Sequence, residues 1–504
     1  MQEDFEQLRN SLKARGICVI IPTYNNAGTV VGTVTGAMSR CDDVIVVCDG
    51  CTDDTVALLK GLQHCPVILE QKRNSGKGSA LKAGFRYALE AGFSYAITLD
   101  ADGQHYPEDI PVMLEANRRH PDAIIIGDRQ GLETADRSAG SRFANAFSRF
   151  WFVLQTWQNF RDTQSGYRLY PLKRLHGLSL ITSRYESELE IPVLAAWSGV
   201  KLRSVPVRVF YPPREERVSH FRPLPDFMRI FVLNCVLCAL ALIYGYPRMI
   251  LGFLWKVLRS VYTFAMYLLA MLFYVIPASV FIRISGGDTE EGRDRMHRFI
   301  NSMAKAVLFR HGLPGVKYTC GNPNGENFET PAVIICNHQS HFDLLPLLAL
   351  TDKLVVLTTD WVWRNPLYGY MIRYADFLPV SSGHEAIMPR LKELLARGYS
   401  IAVYPEGTRS KDCSIGRFHQ GAFHIAQALN LDIIPLLLYG SGKVLPKHGR
   451  IMNRWHMHLD IGGRISPEAM MEYGQSCRER ASEMRKRYKR EYTALADRLD
   501  RELF

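Results

Sequence analysis

The sequence predicts an α/β protein in which two sheet-containing regions are separated by an apolar helical segment. Three observations support this prediction. The chain has 504 residues, which is too many for a single hydrophobic core. Short β-branched runs alternate with helical patterns in both the first and the last part of the chain, and long uncharged runs lie between them. Hydrophobic residues make up 47% of the chain, a share that is typical of globular proteins and argues against disorder.

Residues 17–130 show the alternation of a sheet with helices on its faces. The pattern predicts strands over residues 17–21, 43–47, 67–71, 95–99 and 123–126, and helices over residues 29–38, 52–62, 77–91 and 107–119. In parallel α/β sheets, ligands bind at the carboxyl ends of the strands. Polar residues that directly follow these strands are therefore the first candidates for a binding site.

The middle of the chain is far more apolar. Residues 230–247 form an uncharged run of 18 residues, and residues 261–282 form one of 22. As a helix the longer run would measure roughly 33 Å, enough to cross a bilayer. Between residues 201 and 310 there are 16 Lys and Arg against 7 Asp and Glu, a local excess of nine positive charges. Basic residues beside apolar runs are typical of contact with an anionic membrane surface, and no nucleic-acid-binding motif is present.

Several arrangements of this apolar segment are open. An odd number of spans would place the two flanking regions on opposite sides of the membrane. Two spans would leave Arg248, Lys256 and Arg259 on the outer face, against the positive-inside tendency. We expect a membrane-associated helical hairpin that lies in one leaflet and turns at Pro277. A buried pair of helices in a soluble protein is the alternative.

The last part of the chain repeats the α/β pattern. Strand-like runs cover residues 332–336, 354–358, 401–404 and 433–438, and a charge-laced tail over residues 478–501 predicts a solvated helix. Eleven cysteines are scattered without paired zinc-type spacing, and the first residues lack the layout of a signal peptide, which indicates a reducing cytosolic compartment. The predicted divisions of the chain are residues 1–226, 227–299, 300–470 and 471–504.

Two carboxylates, Asp100 and Asp102, follow the apolar strand at residues 95–99 with one residue between them. Short carboxylates hold Mg²⁺ or Mn²⁺, and such an ion acts as a Lewis acid toward a leaving diphosphate. Alone, this spacing occurs in many surface loops, so its meaning depends on the surrounding sequence.

That surrounding sequence resembles the family 2 glycosyltransferases, and within them the polyprenyl-phosphate mannose or glucose synthases. The resemblance covers about residues 16–230 and is carried by six elements in the family order. They are Ile20-Ile21-Pro22-Thr23-Tyr24-Asn25-Asn26, Cys48-Asp49-Gly50-Cys51, Gly76-Lys77-Gly78, Leu99-Asp100-Ala101-Asp102-Gly103-Gln104-His105, Asp162-Thr163-Gln164-Ser165-Gly166-Tyr167-Arg168 and Ser219-His220-Phe221-Arg222.

The resemblance implies a GT-A-type nucleotide-sugar fold and metal-dependent hexosyl transfer. It implies that Asp100 and Asp102 hold Mg²⁺ or Mn²⁺ and that Asp162 is a base or an orienting group. Cys48 replaces the usual first acid of its element, which leaves Asp49 as the nucleoside contact. The implied substrate-binding residues are Pro22, Tyr24, Asp49, Lys77, Arg168 and His220.

The candidate catalytic residues of the last region are His338 and Asp343, which lies five positions after the histidine. Acyl transfer from a thioester to a hydroxyl needs a base at the hydroxyl and a group that fixes the tautomer of that base. A folded-back Asp343 would supply the second group. The spacing alone is weak evidence, because a structural histidine is the commoner case.

Further motifs over residues 305–460 resemble the glycerol-phosphate and lysophosphatidate acyltransferase superfamily. Residues 337–343 match its first block, residues 404–410 its third, and Ile434-Pro435 its fourth. The resemblance implies that His338 is the base, that Asp343 orients it, and that the acceptor site is shaped by Glu406, Gly407, Thr408 and Arg409. In the second block Ser381-Ser382 follows Pro379-Val380 where an arginine is common, which leaves room for a sugar or glycolipid hydroxyl as the acceptor.

Together the two regions predict a bifunctional transferase at the cytoplasmic face of the inner membrane. One site would move a sugar from a nucleotide-sugar to a lipid-linked acceptor, and the other would acylate a hydroxyl from acyl-CoA or acyl carrier protein. Sharing one chain raises the effective concentration of the intermediate at the second site. The alternative is an acyltransferase whose glycosyltransferase-like region only docks a glycolipid.

Overall fold

The computed structural model describes residues 2–129, 139–210, 223–366 and 368–504. The chain divides into two compact units. The first unit contains Met1–Phe253 together with the C-terminal residues Ala496–Phe504, and the second contains Leu254–Leu495.

The first unit is built on a seven-stranded sheet within the described residues. Its strands are β1 (Ile17–Thr23), β2 (Val44–Cys48), β3 (Val67–Glu70), β4 (Tyr95–Thr98), β5 (Ala123–Arg129), β6 (Arg168–Pro171) and β7 (Lys201–Val207). Its helices before the apolar segment are α1 (Gln2–Arg15), α2 (Val30–Met38), α3 (Thr55–Lys60), α4 (Lys77–Glu90), α5 (Ile110–Arg119), α6 (Ala139–Thr156), α7 (Leu172–Leu175) and α8 (Ser187–Trp197).

The order of this sheet is β3-β2-β1-β4-β6-β5-β7. Strands β3, β2, β1 and β4 are parallel, whereas β6 is antiparallel to both β4 and β5. Strands β1, β2 and β4 are buried along their whole length, as expected for a sheet covered on both faces. Their carboxyl ends meet at one edge, which brings together the loops that carry Tyr24, Asp49 and Asp100.

The apolar segment forms one continuous helix, Leu224–Gly286, of 63 residues. Within the described part of the chain it is the one helix long and apolar enough to cross a membrane. It consists of α9 (Pro223–Leu240), α10 (Tyr246–Ala270) and α11 (Ile276–Gly286), joined by π-helical turns at Ala241–Gly245 and Met271–Val275. The expected hairpin is therefore wrong.

The prolines explain why no hairpin forms. Pro247 and Pro277 each lie two residues after one of the π-helical turns. A proline has no N–H to donate, and its ring clashes with the carbonyl four residues earlier in a regular α-helix. The wider π turn accommodates both defects, so the helix continues through Pro277 where the sequence predicts a reversal.

The second unit has its own seven-stranded sheet among the residues described. Its strands are β8 (Val316–Gly321), β9 (Val333–Cys336), β10 (Leu354–Thr358), β11 (Leu378–Pro379), β12 (Ser400–Val403), β13 (Ile433–Tyr439) and β14 (Trp455–Ile461). Its helices are α12 (Glu290–Lys305), α13 (Leu344–Leu350), α14 (Asp360–Trp363), α15 (Gly369–Tyr374), α16 (His384–Ala396), α17 (Gly421–Leu429), α18 (Ser441–Val444) and most of α19 (Cys477–Leu503).

The order of this second sheet is β11-β10-β12-β9-β13-β14-β8, and only the β13–β14 pair is antiparallel among the described pairs. The central strand β9 is completely buried. The residues directly after β9 and β12 are those of the His338 and Glu406 motifs, so the parallel arrangement brings these two loops to the same edge.

The C-terminal helix α19 differs from the solvated helix that its charges predict. Ala481, Met484, Tyr488, Leu495 and Leu499 are buried, and their spacing places them along one side of the helix. The apolar stripe is hidden in the sequence because charged residues separate its members.

The end of α19 belongs to the first unit through an ion-pair cluster. The guanidinium of Arg15 is completely buried and lies 2.8 Å from Asp497 Oδ1 and 3.0 Å from Asp500 Oδ2. Arg15 Nε also donates to Asn117 Oδ1 at 2.7 Å. These contacts tie α19 to α1 and α5 in the first unit.

Candidate active sites

The first candidate site, here called the carboxylate site, consists of Asp100, Asp102, Lys77 and Glu188. Lys77 Nζ lies 2.5 Å from Asp100 Oδ1 and 2.7 Å from Glu188 Oε1. Burial alone would raise the pKa of Asp100, but the Lys77 ammonium reverses this and the pKa lies below its ordinary value. The site therefore combines a carboxylate that stays ionised with an ammonium group held between two carboxylates.

Asp102 lies in a different environment from Asp100. Its Oδ1 accepts from the backbone N–H of Gln104 at 3.0 Å, while burial and then the charge of Asp100 raise the pKa of Asp102. Burial also lowers the pKa of His105 to about 4, so this imidazole is neutral; its Nε2 lies 3.9 Å from Asp100 Oδ2.

Gly166 closes the side of the carboxylate site. A Cβ at this position would lie 2.5 Å from Asp100 Oδ2, a distance that real side chains do not adopt. The Ser-Gly step after Asp162 is thus required for the close approach of this loop to Asp100.

Asp162 forms a bidentate ion pair with Arg129. Asp162 Oδ2 accepts from Arg129 Nε at 2.5 Å, and Oδ1 accepts from Arg129 Nη2 at 3.0 Å. Burial would raise the pKa of Asp162, but the hydrogen bond and charge of Arg129 hold the pKa below its ordinary value. A carboxylate of lowered pKa is a weak base, so this geometry suits the orienting role better than the role of base.

Arg168 and Asp49 are both occupied by backbone groups. Arg168 is completely buried, and its guanidinium donates to the carbonyls of Ser165, Glu188 and Thr163 at 2.7, 2.5 and 3.0 Å. Asp49 accepts from the backbone N–H groups of Ser75 at 2.8 Å and Gly76 at 2.6 Å. Both residues hold loops around the carboxylate site, and their predicted substrate contacts stay predictions.

The other predicted ligands of the first site lie at the start of the same edge or outside the described residues. Pro22 is buried in β1 opposite Val47, and Tyr24 follows that strand and is half-buried. His220 lies outside the described residues.

All eleven cysteines are free thiols. A hydrogen bond from Cys48 lowers the pKa of Cys51.

The second candidate site is the dyad of His338 and Asp343. His338 Nδ1 lies 2.8 Å from Asp343 Oδ2. The same oxygen accepts from the backbone N–H groups of Gln339 at 2.5 Å and Ser340 at 2.8 Å. Ser340 and Asp343 form a capping box around the 3₁₀ turn His341–Asp343. This local turn explains how the spacing in sequence returns the carboxylate to the imidazole.

Glu406 holds the loop after β12 against the dyad. Its Oε1 accepts from the backbone N–H of His338 at 2.9 Å, and its Oε2 accepts from the N–H of Gly416 at 2.7 Å. Burial raises the pKa of Glu406. In the next turn, the N–H of Ser410 donates to the His338 carbonyl at 2.8 Å, so this loop runs beside the histidine.

The residues between Glu406 and Ser410 form the accessible side of this loop. Gly407 has a φ of 64°, and both Gly407 and Thr408 are exposed. Lys447 Nζ donates to Thr408 Oγ1 at 2.9 Å and to the Arg409 carbonyl at 2.7 Å. Arg409 Nη1 in turn donates to the Lys447 carbonyl at 3.5 Å, so two cationic residues are neighbours at this loop.

The structure brings together Asp100, Asp102 and Lys77 at one edge, and His338, Asp343 and Glu406 at another. Sequence reasoning missed Arg129 and Lys447, because neither belongs to a motif and each meets its partner only through the fold. Tyr404, which stacks on His338 with ring centroids 4.2 Å apart, could have been noticed as part of the third block.

Two family models match separate parts of the chain. The model of glycosyl transferase family 2 matches residues 18–171, and the acyltransferase model matches residues 321–439. The first match contains the carboxylate site except for Glu188, and the second contains the dyad and Glu406.

Each of the relatives described here matches either the N-terminal or the C-terminal domain of the chain. The 1-acyl-sn-glycerol-3-phosphate acyltransferase LPAT1 of Arabidopsis thaliana is 29% identical over 178 residues, 34% of this chain and 48% of that protein. The chain thus spans about half the length of this plant relative.

Two relatives of the other part are archaeal. An uncharacterized protein of Methanocaldococcus jannaschii is 30% identical over 210 residues, 40% of this chain and 84% of that protein. A UDP-N-acetylglucosamine–dolichyl-phosphate N-acetylglucosaminyltransferase of Methanococcus voltae is 27% identical over 215 residues, 39% of this chain and 86% of that protein. The chain therefore belongs to glycosyl transferase family 2 through residues 18–171 and carries a second domain, of the acyltransferase family, in residues 321–439.

Proposed function

We propose that this chain is a bifunctional glycosyltransferase and O-acyltransferase that builds an acylated glycolipid at a membrane. The observation that carries the proposal is the presence of two separate polar sites in one chain. One is the carboxylate site with its lysine, and the other is the carboxylate-held imidazole of His338. Each lies at the carboxyl edge of its own sheet, where α/β folds bind ligands.

For sugar transfer, Asp100 and Asp102 would hold Mg²⁺ or Mn²⁺. Among the described residues no group of three His, Cys, Asp or Glu side chains is arranged to hold a metal ion. Two hard carboxylates nevertheless fit an ion that keeps water and substrate phosphates as its other ligands. When bound, the ion supplies Lewis-acid stabilisation of the leaving diphosphate.

The residues around these carboxylates support the same reaction. Lys77 Nζ, held by Asp100 and Glu188, is placed to meet a phosphate oxygen of the donor. Asp162, fixed by Arg129, orients the acceptor. A lipid-phosphate acceptor is already a nucleophile and needs no strong base, which agrees with the low pKa of Asp162.

For acyl transfer, His338 would act as the base. With Nδ1 held by Asp343, Nε2 accepts the proton of the acceptor hydroxyl. The hydroxyl oxygen then bonds to the thioester carbonyl carbon, the carbon–sulfur bond breaks, and the thiol of acyl-CoA or acyl carrier protein leaves with the proton. Glu406, Gly407, Thr408 and Arg409 would shape the acceptor site.

The substrate classes follow from the two domains. The name of the Methanococcus voltae relative gives a UDP-sugar donor and a dolichyl-phosphate acceptor. For the first domain we propose the same substrate classes, a nucleotide-sugar and a polyprenyl-phosphate-type lipid. For the second domain we propose a hydroxyl of the resulting glycolipid, because Ser381-Ser382 replaces the arginine that is common in glycerol-phosphate acyltransferases.

Attachment to the membrane is supported by the surface of the long helix. Its exposed side chains are large and apolar, such as Leu251, Phe273 and Ile284, whereas small or polar residues such as Ser260 and Ser279 are buried. This pattern is the reverse of that in soluble helices and is typical of helices in lipid. At 63 residues the helix would measure about 95 Å, far more than a bilayer core of about 30 Å, which favours a position along one leaflet.

Mass spectrometry of lipids from cells with and without the chain tests the proposed function. We expect a lipid that carries both a hexose and an acyl group in cells with the wild-type chain. Cells with Asp102→Asn should lack the hexose, and cells with His338→Ala should lack the added acyl group. A hexose that persists in Asp102→Asn cells would favour the alternative, an acyltransferase with a glycolipid-docking domain.

A further inference from the structure

We propose that the outward side of α6 is a second membrane-contact surface, separate from the long helix and belonging to the glycosyltransferase domain. This surface, here called the α6 stripe, consists of Phe150, Val153, Leu154 and Trp157. Their relative exposures are 61%, 37%, 44% and 57%. The inference rests on the proposed function, because it gives the acceptor lipid a defined approach to the first site.

The α6 stripe lies on one side of a helix that is apolar on two sides. Its members follow each other at intervals of three, one and three residues, which places them on the same face of α6 and its last turn. On the opposite face, Phe152 and Thr156 are buried. A helix with apolar residues on both faces requires a second apolar environment, and the folded unit supplies only the first.

The α6 stripe is continuous with the apolar surface of the long helix. Aromatic contacts join α6 to α9: the rings of Phe147 and Phe227 lie 5.5 Å apart, and those of Trp151 and Phe231 lie 6.1 Å apart. Trp157 then stacks on the Tyr246 ring at 4.5 Å. Whatever medium surrounds the exposed side of α9 therefore also reaches the α6 stripe.

The charges of this surface identify the partner as an anionic lipid bilayer. Residues 145–161 and 224–253 contain a single acidic residue, Asp226, and it is buried. The exposed ionised side chains of these segments include Arg149, Arg161 and Arg248. Cations around an apolar patch, with a tryptophan at its end, match the interface of an anionic leaflet.

The position of α6 gives this contact a use. Trp157 precedes Asp162, the orienting residue of the acceptor side, by five positions. In the same segment Asn145 Nδ2 donates to the Arg161 carbonyl at 2.8 Å, and Ser148 and Thr163 share a hydrogen bond of 2.8 Å. A bilayer that holds the α6 stripe would therefore present lipid headgroups beside Asp162.

A fluorescence experiment on the full-length protein tests the contact. Vesicles of phosphatidylcholine and phosphatidylglycerol are prepared with and without brominated acyl chains, which quench tryptophan at the membrane. We expect the quenched fluorescence to be smaller in Trp157→Phe than in the wild-type protein, because one membrane-facing indole is lost. Equal quenched fluorescence in the two proteins would overturn the proposal, whether or not sugar transfer is observed.

A kinetic experiment tests the use of the contact. The double variant Phe150→Ser/Leu154→Ser should raise KM for a long-chain polyprenyl phosphate in vesicles by about ten-fold, with KM for a short, water-soluble polyprenyl phosphate unchanged. The matched control is Leu58→Ser/Val112→Ser, which replaces exposed apolar residues of α3 and α5 and should change neither KM.

Other outcomes have distinct meanings. An equal rise in KM for both acceptors in the double variant would place the defect at the carboxylate site and overturn the membrane role of the α6 stripe. A change in the mass of the detergent-solubilised particle in the double variant would identify a second copy of the chain as the occupant, and would also overturn it. Absence of sugar transfer by the wild-type protein with either acceptor would instead refute the proposed function.

Discussion

The imidazole of His338 stacks on the phenol ring of Tyr404, with ring centroids 4.2 Å apart and planes inclined by 21°. Asp343 fixes Nδ1 of the same imidazole at 2.8 Å. One contact sets the direction of the ring within its plane, and the other sets the plane itself. We therefore expect Tyr404 to be a positioning residue for His338, the proposed base, since Tyr404 would act on the acceptor only through that imidazole.

The first prediction concerns this stack. Tyr404→Leu should lower kcat of acyl transfer about ten-fold or more, because a freely tilting imidazole is rarely aligned with the acceptor hydroxyl. KM for the acyl donor should stay near the wild-type value. Steady-state kinetics of the purified protein measure both constants.

Tyr404→Phe is the matched control. The Tyr404 hydroxyl is buried without a hydrogen-bond partner among the described residues, so its removal leaves the stack intact and removes an unsatisfied polar group. This variant should retain kcat and be at least as resistant to thermal unfolding as the wild type. If it is as inactive as Tyr404→Leu, the hydroxyl and not the stack matters.

The second prediction separates the two reactions. His338→Ala should lower acyl transfer by about 10²–10⁴-fold, the usual effect of removing a positioned base, while sugar transfer by the same preparation is unchanged. Asp343→Asn should give a smaller loss through misorientation of the imidazole. Full acyl transfer by His338→Ala would show that the base lies elsewhere.

The third prediction concerns the carboxylate site. Asp102→Asn should reduce sugar transfer by a factor that corresponds to roughly 3 kcal/mol or more, because a neutral amide is a poor ligand for a hard divalent ion. Acyl transfer should be nearly unaffected. Wild-type sugar transfer by this variant, still dependent on added Mg²⁺ or Mn²⁺, would contradict the assignment.

The pairs Asp100/Asp102 and His338/Asp343 could be predicted from the sequence, because each pair lies in the loop directly after a strand. Asp100 follows β4, and His338 follows β9, so a correct reading of the strands locates them. The contacts of Arg129 with Asp162 and of Lys77 with Glu188 could not be predicted, since they join segments far apart in sequence. The turn predicted at Pro277 is wrong for a local reason: a proline within an apolar run is compatible with a turn as well as with a π-helical step.

The fourth prediction concerns the end of the chain. Arg15→Met should destabilise the first unit by about 3–5 kcal/mol, because it removes the buried guanidinium that lies against Asp497 and Asp500, while Asp497 keeps its ion pair with Arg118. Hydrogen–deuterium exchange of peptides containing Asn117 and Tyr95 should become faster in this variant. Arg498→Met, at an exposed position of the same helix, is the control and should leave exchange unchanged.

The last prediction concerns the position of the long helix in the membrane. Nucleotide-sugars and acyl thioesters are cytosolic donors, so we expect both domains on the cytoplasmic side and the helix along one leaflet. Because Leu224–Gly286 is continuous, a single crossing would put the two domains on opposite sides.

Single cysteines report the three locations. They replace Ser39 and Ser482, which are exposed, and Leu254 within the helix. In a background without native cysteines, an impermeant thiol reagent added to intact cells should label none of them. After the cells are opened, the cysteines at positions 39 and 482 should be labelled, and the cysteine at position 254 should stay shielded by lipid. Labelling of Ser39→Cys or Ser482→Cys alone in intact cells would indicate a single crossing, and labelling of Leu254→Cys alone would mean that the helix bends back at the outer face, against the continuous helix.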